Sequence, residues 1–146
     1  ALIGALAPAA ELLIDGFWPG ALTVVCPVQS TLHWDLGGDG RTVTVRMPLH
    51  PVALEVLQRV GPMVVVSANR VGQPVPLDCD SAAAELDNAV SVYLDGGPCP
   101  PSPPSTVVDL TLNPPRLMRE GAITLDELRS VAPDLRALEV PEGELS

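Results

Sequence analysis

The chain has 146 residues, 47% of them hydrophobic and 18% charged, the composition of a globular domain with a core to bury rather than of a disordered chain. Its net charge of −10, with eight cations that are all arginine, excludes broad nucleic-acid binding, which needs clustered cations against phosphates. No run of about 18 apolar residues reads as a membrane span. The first cation is Arg41, so no basic leader is expected, and a soluble cytoplasmic protein is the expectation.

In chain order, Pro8 to Asp15 reads as a helix, with proline in its first turn and Gly16 as its stop. A turn at Pro19-Gly20 leads into a strand over about 21–26. Residues 30–40 form a polar loop rich in glycine (Gly37, Gly38, Gly40). From Arg41 to Met47 the pattern alternates: Val43, Val45 and Met47 share one face, Thr42, Thr44 and Arg46 the other. Pro51 to Val60 is a helix closed by Gly61-Pro62, with His50 at its start. Met63 to Val66 reads as a strand buried on both faces. The order strand, helix, strand predicts a parallel pair with a crossover.

A short helix at about 81–88 precedes a strand at Val90–Leu94, and residues 96–105 make a rigid proline-rich connection. Thr106–Leu110 and Arg116–Met118 are further strands. Thr124 with Glu127 forms a capping box opening a helix to about Val131. Strands alternating with helices give an α/β domain.

Cys26, Cys79 and Cys99 are odd in number and widely spaced, which reads as free thiols in a reducing compartment. Neither His33 nor His50 completes a metal-ligand spacing.

Candidate chemistry lies at the strand ends. Ser67 and Asn69, two residues apart after an apolar run, suit either an anion site beyond a strand's carboxyl end or a plain turn. Arg46, opposite an apolar face, suits bidentate capture of a carboxylate or a surface salt bridge. Ser105-Thr106 places two hydroxyls at a strand mouth, and Arg119 ends another strand with a cation.

Taken as an ordered set, the motifs are more specific than any one alone. Phe17-Trp18-Pro19-Gly20-Ala21-Leu22-Thr23, Val45-Arg46-Met47-Pro48 with His50-Pro51, Ser67-Ala68-Asn69 with Gly72 and Pro74, Ser105-Thr106-Val107-Val108-Asp109 and Arg119-Glu120-Gly121 follow one another. This closely resembles the YrdC/Sua5 family, the L-threonylcarbamoyladenylate synthases, from about residue 8 to residue 131. The resemblance implies a twisted, open mixed sheet with flanking helices, truncated at the N-terminus. It implies a partial YrdC-like domain over 1–132 and an acidic tail over 133–146.

The resemblance also implies an activity. L-threonine, bicarbonate and ATP (with Mg2+, and no protein-bound metal) give threonylcarbamoyl-AMP and pyrophosphate. Other proteins then transfer the threonylcarbamoyl group to an adenosine of tRNA, so no membrane and no direct tRNA contact is expected of this chain. Arg46, Val65 and Ser105 are expected to hold threonine, and Thr42, Ser67, Asn69 and Arg119 to hold ATP. Attack of a carbamate on a phosphate joins two anions and calls for cations and oriented dipoles, so no Ser-His-Asp or Cys-His set is expected.

Two departures stand out. Val71 and Val75 occupy places where the family has small polar residues. The family's N-terminal Lys-x-Arg segment lies outside these 146 residues, so a fragment of a longer protein and a decayed paralogue both stay open. Two other readings remain beside the synthase: a YrdC-like module of a carbamoyltransferase, and a non-catalytic nucleotide-binding paralogue.

Overall fold

A computed structural model describes residues 2–31, 34 and 40–138. Most of the glycine loop expected at 30–40, His33, and the acidic tail beyond residue 138 lie outside the described residues. The chain divides into two compact units, one made of 1–54 with 103–146 and the other of 55–102.

The first unit is built on a four-stranded mixed sheet. Its strands are β1 (Leu22–Pro27), β2 (Thr42–Arg46), β3 (Thr106–Asp109) and β4 (Arg116–Arg119), in the order β2-β1-β3-β4. β1 runs antiparallel to β2 and parallel to β3, and β3 runs antiparallel to β4. Along β1 burial alternates residue by residue. Leu22, Val24 and Cys26 are buried, and their ladder partners Val45, Val43 and Val108 share that face.

Two helices pack on this face: α1 (Pro8–Phe17) through Ala10 and Leu13, and α4 (Leu125–Val131) through Leu128. α1 starts on Pro8, whose missing N–H costs nothing in a first turn. It continues two residues past the stop expected at Asp15. Gly16 is helical rather than a stop, and a Cβ there would make only ordinary contact with the Val131 side chain, at 3.6 Å. α4 opens with the expected capping box: Thr124 Oγ1 accepts from the Glu127 N–H, and the Glu127 carboxylate accepts from the Thr124 N–H at 2.8 Å. These bonds hold the Glu127 carboxyl below its ordinary range. Each fully buried leucine of this core (Leu13, Leu22, Leu128, Leu135) contributes about 1.5–3 kcal/mol.

All three cysteines are free. Burial, with Asp109 nearby, pushes the Cys26 thiol up to about 11, so it acts as a small apolar core residue.

The second unit holds most of α2 (Pro51–Val60), α3 (Cys79–Leu86) and a 3-10 turn at Asp87–Ala89. α2 has the expected bounds, and the His50 carbonyl takes its first amide, Leu54 N, at 2.9 Å. α3 is capped by Asp78, whose Oδ1 accepts from Ser81 N at 2.7 Å.

Two expected strands do not form. Met63–Val66 joins no ladder, and Val65 and Val66 are 81% and 90% exposed rather than buried on both faces. Val90–Leu94 is likewise irregular, with Val92 and Leu94 exposed. Valine-rich runs carry β-propensity, but a strand exists only where a neighbour takes its backbone groups, and none does among the described residues. The crossover expected between 41–47 and 63–66 is therefore absent. The parallel pair is instead β1 with β3. No helix among the described residues is long and apolar enough to cross a membrane.

Candidate functional site

The sheet face opposite the core carries the candidate site of the first unit. Thr23 is paired with Arg46 across the β1/β2 ladder and with Val107 across the β1/β3 ladder. Val107 in turn is paired with Arg119 of β4. Directly paired residues share a face, so Arg46, Thr23, Val107 and Arg119 form one transverse row. Arg119 reaches this row through an irregularity. Regular alternation would put it on the same side as buried Leu117, but the register shifts between Val107 and Val108, and Met118 is the extra residue.

The row lies at the amino ends of the parallel strands β1 and β3 and at the carboxyl ends of β2 and β4. For Arg46 and Arg119 this is the strand end expected from the sequence. For Ser105 it is the residue just before β3.

Hydrogen bonds lock the row. Arg46 Nε donates to the Gly20 carbonyl at 2.9 Å, and its terminal Nη1 and Nη2 have no partner among the described residues. Gly20 is itself held to β2 by its N–H on the Met47 carbonyl at 2.8 Å. Arg119 donates from Nε and Nη2 to the Ser105 carbonyl at 3.2 and 2.8 Å, and from Nη2 to Ser105 Oγ at 3.2 Å. Thr23 Oγ1 lies 2.8 Å from Ser105 Oγ.

Neither Arg46 nor Arg119 has a carboxylate partner among the described residues, in a chain with eighteen acidic residues. The salt-bridge reading of Arg46 finds no partner among the described residues. Two cations flanking two hydroxyls, held by carbonyl oxygens that leave their charge uncompensated, suit a small anion.

Ser105 and Thr106, read together as a pair of mouth hydroxyls, separate in the structure. Thr106 is fully buried and turns to the core, as Leu22 and Val108 do. Its Oγ1 donates to the Ile123 carbonyl at 2.6 Å and accepts from the Gly121 and Ile123 N–H groups at 3.0 Å each. Thr106 thus clamps the 121–123 loop, and only Ser105 serves the row.

Gly121 is needed for the same packing. A Cβ there would collide with the Pro104 carbonyl oxygen and lie 2.7 Å from the Ser105 carbonyl carbon. Gly121→Ala is expected to displace residues 104–105, lowering stability by about 1–3 kcal/mol. Chemical denaturation against wild type measures the loss, and an unchanged midpoint would show that the loop gives way freely.

The other expected residues fall elsewhere. Thr42 lies on the Arg46 side of β2, paired with Pro27 at the far end of the strand. Val65, Ser67 and Asn69 belong to the second unit, where Val65 and Ser67 are exposed. Asn69 staples its own turn: Nδ2 donates to the Arg70 and Gln73 carbonyls at 3.0 and 2.9 Å, with Gly72 at φ +83° inside the turn. Both amide protons are thereby used, and Oδ1, an acceptor, has no partner among the described residues. Arg70 is held to Glu85 by its N–H and by Nε. A cleft of about 410 Å³ in this unit is lined by residues 73–78 with Ser81 and Glu85. No cluster of metal-ligating side chains occurs among the described residues.

Thr23 belongs to the Phe17–Thr23 motif, but the sequence alone gives it no role. The available signal was a hydroxyl at an alternate position of an otherwise apolar strand, directly upstream of Val24 and Val25.

Together these features define an open, mixed α/β sheet with helices on one face and a cationic, hydroxyl-bearing row on the other. The chain belongs to the Sua5/YciO/YrdC family, whose model, described as "Telomere recombination", matches residues 2–121. It is 46% identical over 130 residues to the "Putative threonylcarbamoyl-AMP synthase" of Mycobacterium tuberculosis, covering 89% of this chain and 60% of that protein. It is 37% identical over 128 residues to the threonylcarbamoyl-AMP synthase of Pyrococcus abyssi, covering 87% of this chain and 38% of that one.

Among solved structures, P. abyssi Sua5 complexed with L-threonine superposes with a TM-score of 0.81 at 35% identity, over 93% of this chain and 40% of that one. E. coli YciO superposes with a TM-score of 0.74 at 26% identity, over 86% and 62%. The fold class expected from the sequence, an open mixed sheet with flanking helices, is the one observed. The chain spans about 60% of the length of its nearer curated relatives.

Proposed function

We propose that the chain carries the threonine-holding part of a threonylcarbamoyl-AMP synthase that works in the cytoplasm. The observation that carries this reading is the Arg46 guanidinium, without a carboxylate partner among the described residues, paired across the sheet with Thr23, beside Ser105 and Arg119. The relatives' names and the threonine complex of the P. abyssi protein support the choice of ligand.

In this reading the terminal nitrogens of Arg46 grip the threonine carboxylate, with Ser105 as a further threonine contact; for Val65 a threonine-binding role is what the family resemblance implies. Bicarbonate adds to the threonine amine, giving a carbamate and water. A carbamate oxygen then attacks the α-phosphate of ATP. The bond between the α-phosphorus and the bridging oxygen breaks, and pyrophosphate leaves with that electron pair. Arg119, whose Nη1 remains outside its contacts to Ser105, faces the anionic nucleotide, as the family resemblance suggests.

For Thr42, Ser67 and Asn69 a nucleotide-binding role is what the family resemblance implies. Both Asn69 N–H groups hold the 70–73 turn and its Oδ1 is buried, so Asn69 serves by fixing that turn next to Ser67. Three free thiols support a reducing compartment. Other proteins pass the product to tRNA.

Val71 and Val75, both exposed, favour a second reading in which the domain binds a nucleotide without turnover.

The test is pyrophosphate release, omitting each substrate in turn. The 146 residues alone are expected to release none, because Arg46 is committed to threonine and Arg70 to Glu85, which leaves few cations for a triphosphate. A chimera carrying the additional length of the M. tuberculosis relative is expected to release it only with threonine, bicarbonate and ATP together. Release from the chimera that ignores threonine would refute the synthase reading.

A further inference from the structure

Thr23 is the one hydroxyl of the transverse row without a part in the chemistry above, and its contacts define one. Ser105 Oγ has one proton and two lone pairs. Arg119 Nη2, 3.2 Å away, can only donate, so it occupies one lone pair. Thr23 Oγ1, at 2.8 Å, supplies the second contact. The two hydroxyls can share that contact in either sense, and an anion settles which. If Ser105 donates to a ligand oxygen, its remaining lone pair must be filled by Thr23 as donor, and the chain of bonds then strengthens in one direction.

We infer that Thr23 is a positioning residue. Its hydroxyl donates to Ser105 Oγ and so holds Ser105 as a dedicated donor to the carboxylate of the amino-acid substrate.

The fold makes this placement rigid. The Thr23 backbone is fixed by ladders on both sides, to Arg46 and to Val107, so its side chain starts from a fixed place in the row. Ser105, by contrast, precedes β3 on a proline-rich segment, and its side-chain direction is set by Thr23 and Arg119 alone among the described residues. A threonine at a half-buried strand position whose neighbours Leu22, Val24 and Val25 are apolar would serve packing equally well as valine. Its hydroxyl is what needs explaining, and Ser105 is its one partner among the described residues.

The inference rests on the threonine reading of the site, and the experiment separates the two. L-threonine is titrated calorimetrically into the 146-residue chain as wild type, Thr23→Val, Thr23→Ser, Ser105→Ala, Thr23→Val with Ser105→Ala, and Arg46→Ala. Thr23→Val is expected to weaken binding about five- to tenfold, as loss of one oriented hydrogen bond does. Thr23→Ser should restore it to within about twofold. In the Ser105→Ala background Thr23→Val should add nothing, the non-additivity that marks action through Ser105. A packing role would instead lower the melting temperature, and its effect would persist without Ser105.

Equal losses from Thr23→Val with and without Ser105, or wild-type affinity in Thr23→Val while Ser105→Ala is weakened, overturns the inference and leaves the threonine site standing. Wild-type affinity in both Ser105→Ala and Arg46→Ala, or no saturable threonine binding at all, overturns the site and the inference together.

Discussion

Replacing Arg46 by alanine is expected to lower affinity for L-threonine roughly ten- to hundredfold while leaving the melting temperature close to wild type. A hydrogen bond to a charged group is worth about 1.5–3 kcal/mol, and a bidentate guanidinium–carboxylate pair lies at the upper end of that range. The fold has little at stake, because Arg46 is exposed and its one bond among the described residues, to the Gly20 carbonyl, comes from Nε. Lysine should rescue poorly: an ammonium cannot hold Gly20 with one nitrogen and present two parallel donors with the others. Threonine titrations that superpose for mutant and wild type would leave Arg46 as a solvated surface cation.

The second large effect concerns the fold under the site. Thr106→Val keeps shape and volume but removes the hydroxyl that joins the Ile123 carbonyl and the Gly121 and Ile123 amides. Three backbone groups lose their partner at once beside a fully buried side chain. Each buried unsatisfied group costs about 1–3 kcal/mol, so a loss of about 2–5 kcal/mol is expected in chemical denaturation, with partial relief from water reaching Gly121. Thr106→Ser should recover most of it. The contrast with Thr23→Val is informative, since the same substitution on the opposite face of the sheet should change binding and hardly move stability. A Thr106→Val protein of wild-type stability would show that the 121–123 loop has other anchors.

What could be read directly from the sequence, and what could not, divides along local and long-range lines. The alternation of Thr42–Arg46, proline at the start of α1 and α2, and the Thr124/Glu127 box act within one or two turns of chain, and the structure has all of them. Met63–Val66 shows the limit of that reading. Four apolar residues describe a strand only if another segment pairs with them, and pairing is not a local property. The reading of the residues that follow such a run, Ser67 and Asn69, changes with it. They follow an exposed extended segment, and Asn69 spends both amide protons on its own turn.

The site itself was legible as a set of residue types but not as a geometry. Arg46 and Arg119 stand out as cations at strand ends, yet their common row depends on register across three ladders joining residues far apart in the chain. Strict alternation along β4 would even bury Arg119 with Leu117, and the shift at Met118 that prevents this has no marker in the sequence. Ser105 and Thr106 look alike in sequence, and the strand's period of two sends one to the row and the other to the core.

The claim on which all of this turns is that the face carrying Arg46, Thr23, Ser105 and Arg119 binds the substrate amino acid. Amide chemical shifts of the 15N-labelled chain during an L-threonine titration test it most directly. Saturable shifts are expected at residues 20–24, 44–47, 105–107 and 119–121, with the amides of α1 and the buried half of α4 left in place. Shifts centred on the helix-covered face, or no saturable change at the row, would contradict it.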